Sequence, residues 1–187
     1  MSAFIGLIFL SPVFLMLAIW IKLDSEGPVF YRQVRVGRNG IDFRIYKFRS
    51  MRVGSDKKGL LTVGEQDNRI TGSGSFIRKY KLDELAQLIN VLFGDMSLVG
   101  PRPEVRRYVD LYSTEQLKVL SVRPGITDIA SIEYMNENAL LAGSDDPEKL
   151  YVEKVMPEKL SLNLDYIRTR SFVSDIGLIF ETIFKIG

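Results

Sequence analysis

With 187 residues, 46 % of them hydrophobic and 26 % charged, the chain is long enough for one packed domain and too apolar for wholesale disorder. It has no cysteine and no histidine, which excludes disulfides, thiolate and imidazole metal sites, cysteine nucleophiles and imidazole bases. Chemistry must run on carboxylates, Lys, Arg, hydroxyls or a hard cation. The net charge of +2 is too small to imply a polyanion partner, but it is unevenly spread: no charge from Met1 to Ile21, ten basic against four acidic residues from Lys22 to Lys58, and fifteen against nineteen from Gly59 onward.

The charge-free leader holds a 19-residue apolar run, Ala3 to Ile21, interrupted by Ser11-Pro12. As a straight helix the run extends roughly 28 Å, close to the roughly 30 Å bilayer core. Pro12 lacks an N–H and crowds the preceding turn, so a helix through it should kink or break, with the Ser11 hydroxyl satisfying freed backbone groups. A kinked span, a re-entrant or interfacial helix and a buried core helix all fit the residues. A basic segment beside this leader is suited to anionic lipid headgroups and to keeping the body cytoplasmic.

Alternation around Val29 to Val36 and Ile41 to Phe48, joined by Arg38-Asn39-Gly40, predicts a β-hairpin. Ser50 to Gly74 lacks periodicity and reads as loops or short elements over a site. In LDELAQLINVLF an apolar stripe from Leu82 to Phe93 predicts the firmest helix, closed by Gly94, with Asp83 and Glu84 in its first turn. Two Arg-bearing proline loops come next, Gly100-Pro101-Arg102-Pro103 and Arg123-Pro124-Gly125. Ser113 and Gln116 between them form a capping-box pair. Asp146-Pro147 starts a helix that should run through Val155 and break at Met156-Pro157, with another from Glu158 toward Thr169. The last pattern, Phe172 to Ile186, carries an apolar face of Phe172, Ile176, Ile179, Phe180 and Ile183; core packing is preferred over the membrane interface. Taken singly, the acidic pair reads as helix-start decoration and the arginines as solvated turn residues.

Together the blocks resemble the bacterial sugar transferase family, the small monotopic polyprenyl-phosphate phosphoglycosyl transferases. The residues that carry the resemblance are the Ser11-Pro12 interruption, KLDSEGPVFYRQVRVGRNG, FRIYKFRSM, DNRITGSGSFIRKYKLDELAQLINVLFGDMSLVGPRPE and VRPGIT. It implies an α+β membrane-associated enzyme: a re-entrant helix over 1–21, broken at Ser11-Pro12, and a cytoplasmic-face catalytic domain over 22–187 with interfacial C-terminal helices. It implies transfer of a phosphosugar from a UDP-sugar to a polyprenol phosphate such as undecaprenyl phosphate, releasing UMP at the bacterial inner membrane and initiating surface polysaccharide or glycoconjugate synthesis. Mg²⁺ is the implied cofactor, used with the Asp83-Glu84 pair as its metal residues, with Asp83 as nucleophile and Glu84 orienting it or assisting the metal. Lys47, Arg49, Arg78, Arg102 and Arg123 match the family's basic positions and are expected to contact phosphate or nucleotide, the last two the leaving UMP. Membrane lipids are expected partners, nucleic acid is not, and a homodimer stays open. The chain departs from the family after VRPGIT, where Asp128-Ile129-Ala130-Ser131 replaces the usual Gly then Gln pattern. The competing reading is a non-catalytic, membrane-attached module that binds nucleotide-sugar or polyprenyl phosphate.

Overall fold

The computed structural model describes residues 2–55 and 67–186. The expected loops between Ser50 and Gly74 therefore lie partly outside the described residues. The chain is α+β: mostly helical, with a two-stranded antiparallel hairpin and a second, parallel pair of very short strands.

Helix α1 runs from Ser2 to Asp24 with Pro12 inside it. The expected break into two helices is not there. Pro12 cannot donate to the Ile8 carbonyl four residues earlier, and Ser11 Oγ donates to that same carbonyl at 2.7 Å, so the orphaned acceptor is satisfied locally and the helix continues. At 1.5 Å per residue α1 is about 34 Å long. One stripe faces the body along its whole length: Ala3, Leu17 and Ile21 are buried, and a Cβ on Gly6 would lie 3.6 Å from Leu88 Cδ1. Phe4, Ile5, Ile8, Phe9, Leu15, Met16, Ile19 and Leu23 remain exposed. Among the described residues it is the one helix long and apolar enough to cross a membrane.

The hairpin forms as its alternation predicts. Strands β1 (Phe30–Val36) and β2 (Asp42–Phe48) pair with Phe30 opposite Phe48 and Val36 opposite Asp42. Asn39 and Gly40 take the positive φ values, 58° and 74°, that the turn demands. The free edge of β2 is closed by a side chain: buried Asn90 accepts from Tyr46 N at 2.9 Å and donates to the Arg44 carbonyl at 2.9 Å.

Thr71 caps a helix that the sequence pattern hid, α2 (Gly72–Lys79), by accepting from Gly74 N at 3.0 Å. Asp24, at the end of α1, also accepts from the N–H and hydroxyl of Ser73 at 3.0 and 2.9 Å, tying the two helices. The expected helix from Leu82 to Phe93 is divided. Leu82–Gln87 forms a tighter 3₁₀ turn, entered through Lys81 in the left-handed region (φ 51°), and α3 covers only Leu88–Phe93 before Gly94 closes it at φ 86°.

Strands β3 (Ser97–Val99) and β4 (Gly125–Thr127) lie parallel. They bring the two proline loops together, and only glycine fits there, since a Cβ on Gly125 would sit 2.1 Å from Gly100 N. Between them are α4 (Arg106–Val109) and the Ser113–Gln116 box, whose two reciprocal bonds measure 2.8 and 3.3 Å. Then come α5 (Ile129–Glu133), α6 (Glu137–Ala142) and α7 (Pro147–Leu150), the last capped by Asp146 as expected. The expected break at Met156-Pro157 is absent. A π-helical turn at Tyr151–Val155 leads directly into α8 (Met156–Thr169), so Pro157 falls in the first turn after a widened loop of backbone, where its missing N–H is tolerated.

Helix α9 (Phe172–Ile186) corrects the preference for core packing. Phe172, Phe180 and Ile183 are 79 %, 56 % and 61 % exposed. Its other side is held to the body through Thr182 on Thr127 (2.5 Å) and Asp175 on Tyr166 (2.6 Å).

Two apolar clusters organise the body. Leu17, Ile21, Phe48, Ile77 and Ala86 join α1 to the hairpin, α2 and the 3₁₀ turn. Tyr108, Val119, Leu141, Tyr151, Val155 and Leu160 join α4 to the C-terminal helices. The candidate site lies where side chains of both clusters face one cleft.

Candidate active site

That cleft has a volume of about 830 Å³ and is lined by Lys47, Arg49, Arg78, Asp83, Glu84 and Arg102, six of the seven polar positions expected from sequence. The hairpin supplies Lys47 from β2, held in place by the Asn90 clamp. The end of α2 supplies Arg78, and the first proline loop supplies Arg102.

The two carboxylates have different surroundings. Glu84 is gripped by the Arg102 fork, with Nη1 to Oε2 at 3.0 Å and Nη2 on Oε1, while Lys47 Nζ donates to Oε1 at 2.9 Å. Asp83 accepts no hydrogen bond among the described residues; its nearest cation is Lys47 Nζ at 3.9 Å. Burial works against the charge on both. For Asp83 burial wins and, with the neighbouring Glu84 charge, outweighs Lys47 and Arg78, so its carboxyl lies above the ordinary value. For Glu84, Arg102 and Lys47 overcome burial and hold the carboxyl well below the ordinary range. Adjacent in sequence, they are a pinned anion and a carboxylate with both oxygens available.

Arg78 makes no ion pair among the described residues, so its guanidinium is available to an incoming anion. Arg49, expected to contact phosphate, lines the cleft but has its guanidinium engaged by the end of α1. It is buried, and its guanidinium donates to the carbonyls of Ile21 (3.2 Å), Ser25 (2.7 Å) and Glu26 (2.5 Å) and to Ser25 Oγ (3.1 Å), closing the C-terminal end of α1. Arg123 is exposed and does not line the cleft. Its loop instead braces the other one, through Gly125 N on the Pro101 carbonyl at 3.0 Å and Gly100 N on the Thr127 carbonyl at 3.0 Å.

Several lining residues are not marked by the sequence pattern. Lys81, turned into the cleft wall by its left-handed backbone, is signalled only as a base two residues before Asp83; burial pushes its ammonium below the ordinary value. Arg32 lies over the Tyr46 ring at 4.4 Å, and Tyr134, Asn138 and Asn163 form the far wall. No local pattern marks that wall, which long-range packing assembles.

No group of three or more acidic side chains suited to a cation occurs among the described residues. Mg²⁺ is commonly held by only one or two carboxylates, with substrate phosphates completing its shell. Asp83, with unengaged oxygens, fits that pattern; Glu84 would have to give up Lys47 or Arg102 contacts to join it.

A family model described as bacterial sugar transferase matches residues 1–187. The chain belongs to the bacterial sugar transferase family. Among curated relatives, one from Aeromonas hydrophila, a UDP-N-acetylgalactosamine-undecaprenyl-phosphate N-acetylgalactosaminephosphotransferase, is 40 % identical over 98 % of this chain and 41 % of its own length. The UDP-glucose:undecaprenyl-phosphate glucose-1-phosphate transferase of Escherichia coli (strain K12) is 39 % identical over 96 % of the chain and 37 % of its own. The Galactosyl transferase CpsE of Streptococcus agalactiae serotype III (strain NEM316) is 40 % identical over 97 % and 39 % respectively. The chain thus spans about two fifths of the length of these relatives. Their names carry three different sugars at 39–40 % identity, so identity alone does not choose the sugar.

Proposed function

We propose that the protein transfers a phosphosugar from a UDP-sugar to a polyprenol phosphate, releasing UMP and initiating synthesis of a surface polysaccharide or glycoconjugate. The observation that carries this reading is the unengaged Asp83 carboxylate beside a Glu84 pinned by Lys47 and Arg102, in a cation-lined cleft of a bacterial sugar transferase. The names of the relatives support the donor and acceptor classes.

In the mechanism, an Asp83 oxygen attacks the β-phosphorus of the UDP-sugar. The bond from that phosphorus to the bridging oxygen breaks, and UMP leaves with the electron pair. The phosphosugar is then an acyl phosphate on Asp83. An oxygen of the polyprenol phosphate attacks the same phosphorus, the Asp83 carboxylate departs, and the polyprenyl diphosphate sugar is formed. Arg78 and Lys47 balance the charge of the diphosphate, while Arg102 and Lys47 keep Glu84 occupied beside the nucleophile. Mg²⁺, for which Asp83 and secondarily Glu84 are the residues present, would add charge neutralisation on the phosphate oxygens.

A lipid acceptor has to be met at a membrane. The exposed apolar faces of α1 and α9 support placement of both helices in lipid. Because the body lies alongside α1 from Gly6 to Ile21, a full crossing would pull α3 into the bilayer; this favours a monotopic arrangement within one leaflet, with the cleft on the cytoplasmic face of the inner membrane. The test is incubation with Mg²⁺ and UDP-sugar labelled at the β-phosphate, without lipid. The protein should release up to one UMP per active molecule and carry the label on the peptide containing Asp83; Asp83→Asn should do neither. Binding of UDP-sugar without UMP release would select the binding-module reading, and efficient turnover by Asp83→Asn would remove Asp83 as nucleophile.

A further inference from the structure

In the segment Asp128-Ile129-Ala130-Ser131, where the chain leaves the family pattern, Ser131 lines the cleft and Asp128 does not. Asp128 directly follows β4 and is completely buried, 0 % exposed. It forms no ion pair within 4 Å among the described residues, so burying it is costly unless its lone pairs are used. They are used by three N–H donors from three walls of the site. Oδ1 accepts from Ser131 N at 2.6 Å, capping α5. Oδ2 accepts from Asn163 Nδ2 on α8 at 2.9 Å and from the backbone N–H of Arg102 at 3.0 Å.

The bond to Arg102 is the functional one. In Pro101-Arg102-Pro103 neither proline has an N–H, so the Arg102 amide is the only backbone donor by which the loop can be anchored at that point. The two proline rings fix their own φ angles, and the orientation of the Arg102 side chain then depends on what holds that amide. Asp128 holds it, and the guanidinium at the other end of the residue grips Glu84.

We propose that Asp128 is a positioning residue: it fixes the Arg102 backbone so that the guanidinium stays on Glu84, leaving Asp83 as the carboxylate free to meet the phosphorus. The proposal rests on the phosphosugar-transfer reading. All three partners of Asp128 are donors, so an amide in its place would turn its own NH₂ toward at least one of them. A serine is a gentler change, since its hydroxyl can still cap α5 but is too short to serve Arg102 as well.

The experiment is a double-mutant cycle on the full chain in lipid nanodiscs, read by single-turnover UMP release, which tracks slow variants over hours. Asp128→Ser and Asp128→Asn are compared with the unmodified protein and again in an Arg102→Ala background, with melting curves for each. A residue acting through Arg102 should lower the rate about tenfold or more when Arg102 is present and less than about twofold when its side chain is gone. Equal losses in both backgrounds, or an unchanged rate in the folded Asp128→Ser protein, would overturn the positioning role while leaving the transfer reading intact. If the unmodified protein releases no UMP from any UDP-sugar, the transfer reading falls and the positioning role falls with it.

Discussion

Replacing Arg49 with methionine separates a structural cation from a substrate-binding one. The methionine keeps much of the aliphatic stem but offers no donor to the carbonyls of Ile21, Ser25 and Glu26. A buried polar group left without a partner costs about 1–3 kcal/mol. Glu26 is at the surface, where water can replace the guanidinium, and the Ile21 carbonyl keeps its bond from Ser25 N at 3.3 Å. The Ser25 carbonyl therefore carries most of the penalty, and with the lost packing against Gly27 the total comes to about 2–4 kcal/mol. For a chain of this size that lowers the melting temperature by about 4–16 °C. Arg49→Lys should recover only part of the loss, since one ammonium cannot span three carbonyls. The assay pairs melting in nanodiscs with the KM for UDP-sugar measured well below the transition, which should move less than about threefold. A variant that melts like the unmodified protein but shows a tenfold higher KM would refute the capping role and restore a phosphate contact.

The same geometry makes two further outcomes testable. Arg123→Ala, at an exposed position outside the cleft, should leave kcat/KM within about twofold and stability within about 0.5 kcal/mol; a tenfold rise in KM would place it in the site after all. Ser11→Ala should destabilise α1 by about 1–2 kcal/mol, because the Ile8 carbonyl beside Pro12 is left without its donor, and adding Pro12→Ala should restore the lost stability by supplying an N–H to that carbonyl. Melting of the single and double variants in nanodiscs checks this, and a Ser11→Ala penalty that persists without Pro12 would count against it.

How far the fold could be read from the sequence depended on how local its causes were. The hairpin turn at Asn39-Gly40, the Ser113–Gln116 box and the Asp146 cap are each decided within four residues, and each formed as expected. Helix α2 was hidden because Gly72 and Gly74 weaken helix propensity; Asp24, 49 residues away, supplies part of its N-terminal capping. Pro12 and Pro157 both carry the pattern of a break, and both lie in continuous helical backbone. In one case a neighbouring hydroxyl takes the orphaned carbonyl, and in the other a π turn removes the conflict. The rule that proline breaks helices describes the loss of one hydrogen bond, and it fails where that bond is replaced or was never required. Helix α9 shows the complementary difficulty: an apolar face has the same pattern whether it meets a core or lipid, and only its neighbours distinguish them.

In the active site, residue types were legible and their division of labour was not. Asp83 and Glu84 stand side by side in LDEL, and nothing in that string says which will be the nucleophile. What distinguishes their surroundings lies far along the chain: Lys47 on a strand 37 residues before Glu84 and Arg102 on a loop 18 residues after it converge on one carboxylate and leave its neighbour unengaged. The same convergence explains why three of the five expected phosphate contacts, Arg49, Arg102 and Arg123, have other surroundings in this structure. Arg49 directly follows Phe48, the last residue of β2, whose side chain enters the cluster with Ile21, and its guanidinium reaches the end of α1. Arg123 belongs to a loop whose backbone, not its side chain, reaches the other proline loop. A basic residue in a family block is therefore evidence that a cation is wanted at that position, while its partner is set by the packing of elements on either side. Under the proposed mechanism, the pairing of Arg102 with Glu84 therefore matters more than its charge alone: moved a few ångströms by a slack loop, the same guanidinium would leave two competing carboxylates at the phosphorus in place of one.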